Sequence, residues 1–230
     1  MANEKLYVTV NYDGKMFTWN KEQLEGYEKH ESSTGKIGYR KYFNKGVEGK
    51  LNYFTFKKNQ FKNDAEELHV SLGDYVVVFN VMDTSGDGID PFLESFLRTV
   101  PKLEKGMVYT INNWKMNKGD VVKGTVVTNT MRGVTVRCGE TKIEPTLTYQ
   151  SESNPNGDIP RLEWKEKAGK NRPTAVSKEA KLDYLYEALQ KQVDRLKYED
   201  NGQTTTAPTP IPTATITPKQ QEEPVDDLPF

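Results

Sequence analysis

Leu6-Tyr7-Val8-Thr9-Val10-Asn11-Tyr12-Asp13-Gly14-Lys15-Met16-Phe17-Thr18-Trp19 is the stretch that decides the fold class. Leu6, Val8, Val10 and Tyr12 alternate with polar or smaller residues, Asp13-Gly14 supplies a tight turn, and a second β-prone run follows, so the segment predicts a β-hairpin. The pattern recurs downstream. Runs at 37 to 43, 51 to 57, 67 to 82, 107 to 116, 121 to 129, 133 to 138, 142 to 149 and 161 to 166 are rich in β-branched and aromatic residues and are separated by Gly, Asn, Asp or Lys clusters. Many short strands in succession predict a mainly β body, a barrel or a sandwich. Residues 20 to 35 are polar, with Ser32-Ser33-Thr34-Gly35, and read as a loop with a short helix at Lys21 to Tyr27.

Two segments break the β pattern. Pro91-Phe92-Leu93-Glu94-Ser95-Phe96-Leu97-Arg98 predicts a short helix, with Pro91 in its first turn and Pro101 closing the segment, packed across the barrel end. From Ser177 to Tyr198 the spacing of Leu182, Leu185, Tyr186, Leu189, Val193 and Leu196 is helical, with Ser177 as cap and Gly202 beyond the end. Its stripe packs on the body or forms a dimer seam. After Asn201-Gly202 the chain turns to Thr, Gln, Ala and Pro, with too little apolar surface to offset ordering entropy. The predicted organisation is a body over 1–172, a C-terminal amphipathic helix within 173–199, and a disordered linker with an acidic tip over 200–230.

Composition narrows the function. With 35% hydrophobic and 28% charged residues among 230, the chain is polar, yet twelve Tyr, nine Phe and three Trp supply large side chains for core and contacts. No run of about 18 apolar residues occurs and no apolar stretch follows Met1, so neither a membrane span nor a signal peptide is expected, and the protein is expected in the cytoplasm. Cys138 is the single cysteine, which excludes an intrachain disulfide and a multi-cysteine zinc site. The net charge of -1 hides an asymmetry: residues 199 to 230 hold six acids against Lys219, which leaves +4 on residues 1 to 198. A basic body with an acidic tail suggests a polyanion surface accompanied by its own competitor.

That basic charge is concentrated. Residues 36 to 62 contain Lys36, Arg40, Lys41, Lys45, Lys50, Lys57, Lys58 and Lys62 against Glu48 alone, interleaved with Tyr39, Tyr42, Phe43, Tyr53, Phe54, Phe56 and Phe61. Cations that track phosphates and rings that stack on unpaired bases are what a single-stranded nucleic acid requires. The plainer reading makes the rings β core and the lysines a solvated edge, but a merely solvated surface usually mixes signs. On a strand, Tyr53, Thr55 and Lys57 face one way and Phe54, Phe56 and Lys58 the other, so only one set can meet a ligand. Trp114 beside Lys115, and Arg132 and Arg137 about a turn at Gly133, are secondary candidates; Trp19 and Trp164 read as core.

Other chemistry is thin. Asp83, Ser85 and Asp87, with Gly88 and then Glu94, match a calcium-loop spacing, but the preceding residues read as strand and Asp90 replaces an apolar residue, which favours a plain polar turn. His30 and His69 have no sequence partner for a metal or a nucleophile, no phosphate-cradling glycine loop occurs, and Asp64, Glu66 and Glu67 read as solvated. A non-enzyme without cofactor is expected.

Asp226-Asp227-Leu228-Pro229-Phe230, after a Pro/Thr/Gln linker, resembles the acidic tip of bacterial and bacteriophage single-stranded DNA-binding proteins. The bacterial pattern often has a longer Asp run and Ile before Pro-Phe, and residues 1 to 198 look more like a diverged bacteriophage version. The resemblance implies an OB-fold-like barrel, here with insertions, that coats single-stranded DNA without sequence preference in replication, recombination and repair. It further implies that Asp226 to Phe230 recruit replication and repair proteins, in the host bacterial cytoplasm if the chain is phage-encoded. Phe230 suits an apolar pocket, and the two aspartates steer towards a basic rim. A strand-annealing or recombination-mediator protein is the alternative within nucleic-acid work, and a calcium-binding or structural phage protein the alternative outside it.

Overall fold

The computed structural model describes residues 5–32, 35–60, 64–86, 88–167 and 169–197. The expected linker and tip, Lys62 and Asp87 lie outside them. In chain order the strands are β1 (Leu6–Val10), β2 (Met16–Asn20), β3 (Glu28–Glu31), β4 (Ile37–Tyr42), β5 (Val47–Asn59), β6 (Ala65–Leu72) and β7 (Tyr75–Asn80). After the helix α1 (Pro91–Leu97) and a 3₁₀ turn at Val100–Lys102 come β8 (Val108–Met116), β9 (Val121–Val122), β10 (Thr125–Val126), β11 (Met131–Cys138) and β12 (Thr141–Lys142). β13 (Trp164–Lys167), β14 (Lys170–Pro173) and the helix α2 (Ala175–Arg195) complete the described chain.

The opening hairpin forms as its sequence predicts. Asn11 Oδ1 accepts from the N–H groups of Asp13 at 3.1 Å and Lys15 at 2.9 Å, and Gly14 takes φ +76°, the left-handed conformation open to glycine. β1 pairs antiparallel with β2 and parallel with β7, seeding a ten-stranded sheet in the order β12-β11-β8-β5-β6-β7-β1-β2-β4-β3. β3 falls in the stretch read from sequence as loop: its residues Glu-Lys-His-Glu lack an apolar face because it is an edge strand, and charge there discourages further pairing.

β5 bends the sheet by changing partners. Its first residues, Val47 to Lys50, pair with β8, and Leu51 to Asn59 pair with β6, with an irregular register between Leu51 and Tyr53. The Phe54 N–H donates to the carbonyl of Leu196 at 3.0 Å, tying this bend to the end of α2. The sheet curls until the β1–β2 turn reaches β8 and β11, where Asp13 pairs with Lys115 at 2.9 Å. It does not close: among the described residues no pairing joins β12 to β3. The expected barrel is therefore a mainly β, open, curled sheet.

The inner face is the core. Phe54, Phe79 and Phe96 pack ring to ring, with centroids 5.1 Å apart for Phe79–Phe96 and 5.9 Å for Phe54–Phe96. Asp90 caps α1, accepting from the N–H of Phe92 at 2.8 Å and of Leu93 at 3.4 Å, which turns Phe92, Leu93, Phe96 and Leu97 inward. Thr174, not Ser177, caps α2. Leu185, Leu189, Val193 and Leu196 are buried in the same core, each contributing roughly 1.5–3 kcal/mol, so the stripe packs on the body. Arg195 holds the helix end by donating to the carbonyls of Leu103 and Val100, both at 2.9 Å. No described helix is long and apolar enough to cross a membrane.

Candidate nucleic-acid interface

The basic aromatic window does not stay together along the chain. β4 and β5 stand apart in the sheet, separated by β6, β7, β1 and β2. The outer face reunites part of the window. Cross-strand partners run Tyr53, Ser71, Val76 and Tyr7 over β5, β6, β7 and β1. A parallel row runs Thr55, His69, Val78, Thr9, Phe17 and Tyr42 from β5 to β4. Trp19 pairs with Arg40 beside it. These positions alternate with the core residues, so the pleat puts them on the outer side of the sheet, where Ser71, Val76, Val78 and Phe17 are nonetheless buried and Tyr7, Thr9, Tyr42, Tyr53, Thr55 and His69 keep some exposure.

Cations already sit on these rings. Lys5 lies 5.0 Å from the Tyr53 centroid and donates to Ser71 Oγ at 2.6 Å. Arg40 lies 4.3 Å over Phe17, and Lys15 5.6 Å over Tyr42. Tyr7 meets His69 edge-on at 5.7 Å and remains 56% exposed. Trp19 lies against Gly38, where any side chain would collide with the indole. Phe17 is 3% exposed although it is on the outer face, because Arg40 and Tyr42 roof it. The result is a layered surface of rings and cations.

Acids on this face are few and tied. Glu67 is buried, accepts from the Asn59 amide at 2.8 Å, and lies 3.3 Å from His69 Nε2. Glu28 faces Arg40 across β3 and β4. His30 titrates below its ordinary value, first because burial disfavours its charged form and then because Arg40 repels a second cation. Arg40 Nε is buried without a partner among the described residues, which leaves donor capacity unused on the platform.

Of the residues singled out from sequence, Arg40, Tyr42, Tyr53 and Lys57 reach this platform. Phe54 does not: it is fully buried, and its face of β5 is the core face. Phe56 and Phe43 also pack against the core, Phe43 edge-on to Tyr75 at 5.6 Å. The face with Tyr53, Thr55 and Lys57 is thus the open one. Lys58 is exposed on the opposite side, as is Lys41, with half-buried Tyr39 also on that side of β4. Lys45 is exposed after β4, and Lys50 is exposed opposite Val108.

The secondary candidates divide as well. Trp114 and Lys115 are on opposite faces of β8, Trp114 lying on Gly133 in mid-strand rather than at a turn. Lys115 pairs with Asp13, Arg132 lies 3.9 Å over Tyr12, and Arg137 is exposed and donates to the Glu140 carbonyl at 3.0 Å. Trp164, read as core, is 57% exposed on the β13–β14 hairpin. Lys5, Tyr7, Phe17 and His69 were missed, although the alternation that puts Val8 and Val10 inside already places Tyr7 and Thr9 outside.

The calcium-loop spacing has another use. Asp83 Oδ1 accepts from Ser85 N at 3.0 Å and Oγ at 2.8 Å, which closes a polar turn after β7. Glu94 accepts from the Tyr149 hydroxyl at 2.6 Å and pairs with Lys181 at 2.9 Å. Asp83, Ser85 and Glu94 do line one cavity of about 280 Å³, but Lys178 and Lys181 line it too, and two ammonium groups repel a cation. No group of three metal-ligating side chains is found among the described residues. The chain matches no protein-family model. Neither a curated protein nor a solved structure is significantly similar to it.

Proposed function

We propose that the chain binds single-stranded DNA stoichiometrically and without sequence preference on the outer face of β5, β6, β7, β1, β2 and β4. The observation that carries this reading is the stripe of cation-topped rings: Lys5 on Tyr53, Arg40 on Phe17 and Lys15 on Tyr42. Tyr53 and Tyr42 give bases rings to stack on, the Arg40 guanidinium over buried Phe17 gives a plane of its own, and lysine and arginine release counterions from phosphates, so affinity needs no base-specific contact. A duplex hides the base faces this surface would use. At about 4.8 Å per strand spacing the stripe is about 24 Å long. That length suits about seven nucleotides at the ~3.4 Å rise of a stacked strand.

An OB-fold-like use of a curved sheet face fits this reading, built on an open ten-stranded sheet rather than a closed five-stranded barrel. The acidic tip, Asp226 to Phe230, recruits replication and repair proteins and competes with DNA for the basic face. The test is a paired substitution. Tyr53→Ala with Arg40→Gln lowers oligo-dT affinity at least tenfold, whereas Lys178→Gln, away from the stripe, leaves it within twofold; equal effects would overturn the assignment of this face.

A further inference from the structure

The β1–β2 turn gathers a second set of rings and cations that the stripe does not include. On the inner side of β8 and β11, Lys115 stands directly opposite Arg132, an arrangement of like charges that weakens a strand pair. The Tyr12 ring serves both: Arg132 lies 3.9 Å and Lys115 5.0 Å from its centroid, and the ring is 58% exposed. Asp13 pairs with Lys115 through a largely exposed carboxylate. Asp90, the other nearby acid, is engaged in capping α1 and makes no hydrogen bond to Arg132.

The donor set is left incomplete. Among the described residues nothing accepts a hydrogen bond from Arg132, and its Nε is buried. Asn113, two residues before Lys115 on the same face, is 8% exposed, and both its amide nitrogen and its amide oxygen are buried without a partner among the described residues. Buried polar groups normally find partners, so two adjoining exceptions beside two cations and an open ring mark a place for a ligand. A planar fork, an ammonium and an amide suit phosphate oxygens, and the ring suits a base.

We infer that Tyr12, Asn113, Lys115 and Arg132 form a second nucleotide station, which holds one phosphate of a bound single strand and stacks its base on Tyr12. Lys15, on the same turn, lies over Tyr42 of the stripe, so the turn is where a strand leaving the stripe would cross to the station. This inference rests on the stripe being a single-stranded DNA surface.

The experiment uses the full chain, isotope-labelled, with oligo-dT of about six and about sixteen nucleotides. The short oligomer fills the stripe and leaves the Asn113 side-chain amide and Arg132 Nε–H resonances unmoved; the long one shifts both. Arg132→Gln then weakens the long oligomer roughly fivefold or more and the short one less than twofold, and Arg132→Lys, which keeps the charge without the fork, recovers only part of the loss. If the long oligomer binds without moving either resonance, the station is wrong and the stripe stands. If free thymidine monophosphate moves them as far as the long oligomer does, the site takes free nucleotides and the inference is overturned. Failure of both oligomers to bind overturns stripe and station together.

Discussion

The Arg40 guanidinium lies 4.3 Å above the Phe17 ring, joining β4 to β2 on the outer face of the sheet. Phe17 is thereby a buried residue on a solvent-facing side, and Arg40 is the layer a base would meet. The two should separate cleanly on substitution. Phe17→Ala removes a buried ring and costs roughly 3–5 kcal/mol of stability in denaturant titrations. Arg40→Gln shifts stability by less than about 1 kcal/mol but lowers oligo-dT affinity. An Arg40→Gln protein with unchanged affinity would remove Arg40 from the interface.

Tyr53 and Phe54 are neighbours in sequence and belong to opposite faces. Tyr53→Ala should weaken oligo-dT binding by about 1–3 kcal/mol, as loss of one stacked base does, with a small change in melting temperature. Phe54→Ala should instead cost roughly 3–5 kcal/mol of stability, with affinity retained in whatever fraction stays folded. The reverse pattern would exchange the two faces of β5.

Much of this was legible in the sequence, and the failures have physical causes. The hairpin at Asn11 to Lys15 and the helix at Pro91 announce themselves through local turn and capping chemistry, which acts within a few residues. Pairing between distant strands leaves no such local mark: nothing near Leu6 signals its parallel partner at Tyr75, nor that β5 divides between β8 and β6. Alternation narrowed β5 to two faces, but each carries one lysine and at least one ring, Tyr53 on one and Phe54 with Phe56 on the other, so composition did not choose between them. Only the core contacts of Phe54 with Phe96 decide between them. Trp164 was misread because size alone suggests burial, whereas its hairpin leaves it exposed.

Asp90 provides a pH signature. Burial raises its carboxyl above the ordinary value, outweighing the Phe92 and Leu93 N–H groups and Arg132, which favour the charged form. The folded protein therefore binds this proton more readily than the unfolded chain, and stability falls as pH rises from the unfolded pKa, about 4, through the raised folded one. Asp90→Asn keeps a capping oxygen and removes that titration. Melting curves should show the Asp90→Asn variant equal to or above wild type at neutral pH, with the gap closing towards acid. A gap that widens in acid would contradict the burial of this carboxyl.

The acidic tail should compete with DNA. Removing residues 218 to 230 is expected to tighten oligo-dT binding at low salt, by several-fold, and to make little difference at high salt, where the competition is screened. The same truncation should abolish capture of replication or repair partners by the tip. Equal affinity at low salt with and without the tail would end the competition idea.

The most direct test of the central claim is fluorescence anisotropy of labelled oligo-dT titrated with the full chain, with duplex DNA and RNA as competitors, across a salt series. Tight binding that resists duplex competitor and weakens steeply with salt is the predicted result. No binding at low salt, or competition by duplex as effective as by single strands, would contradict it.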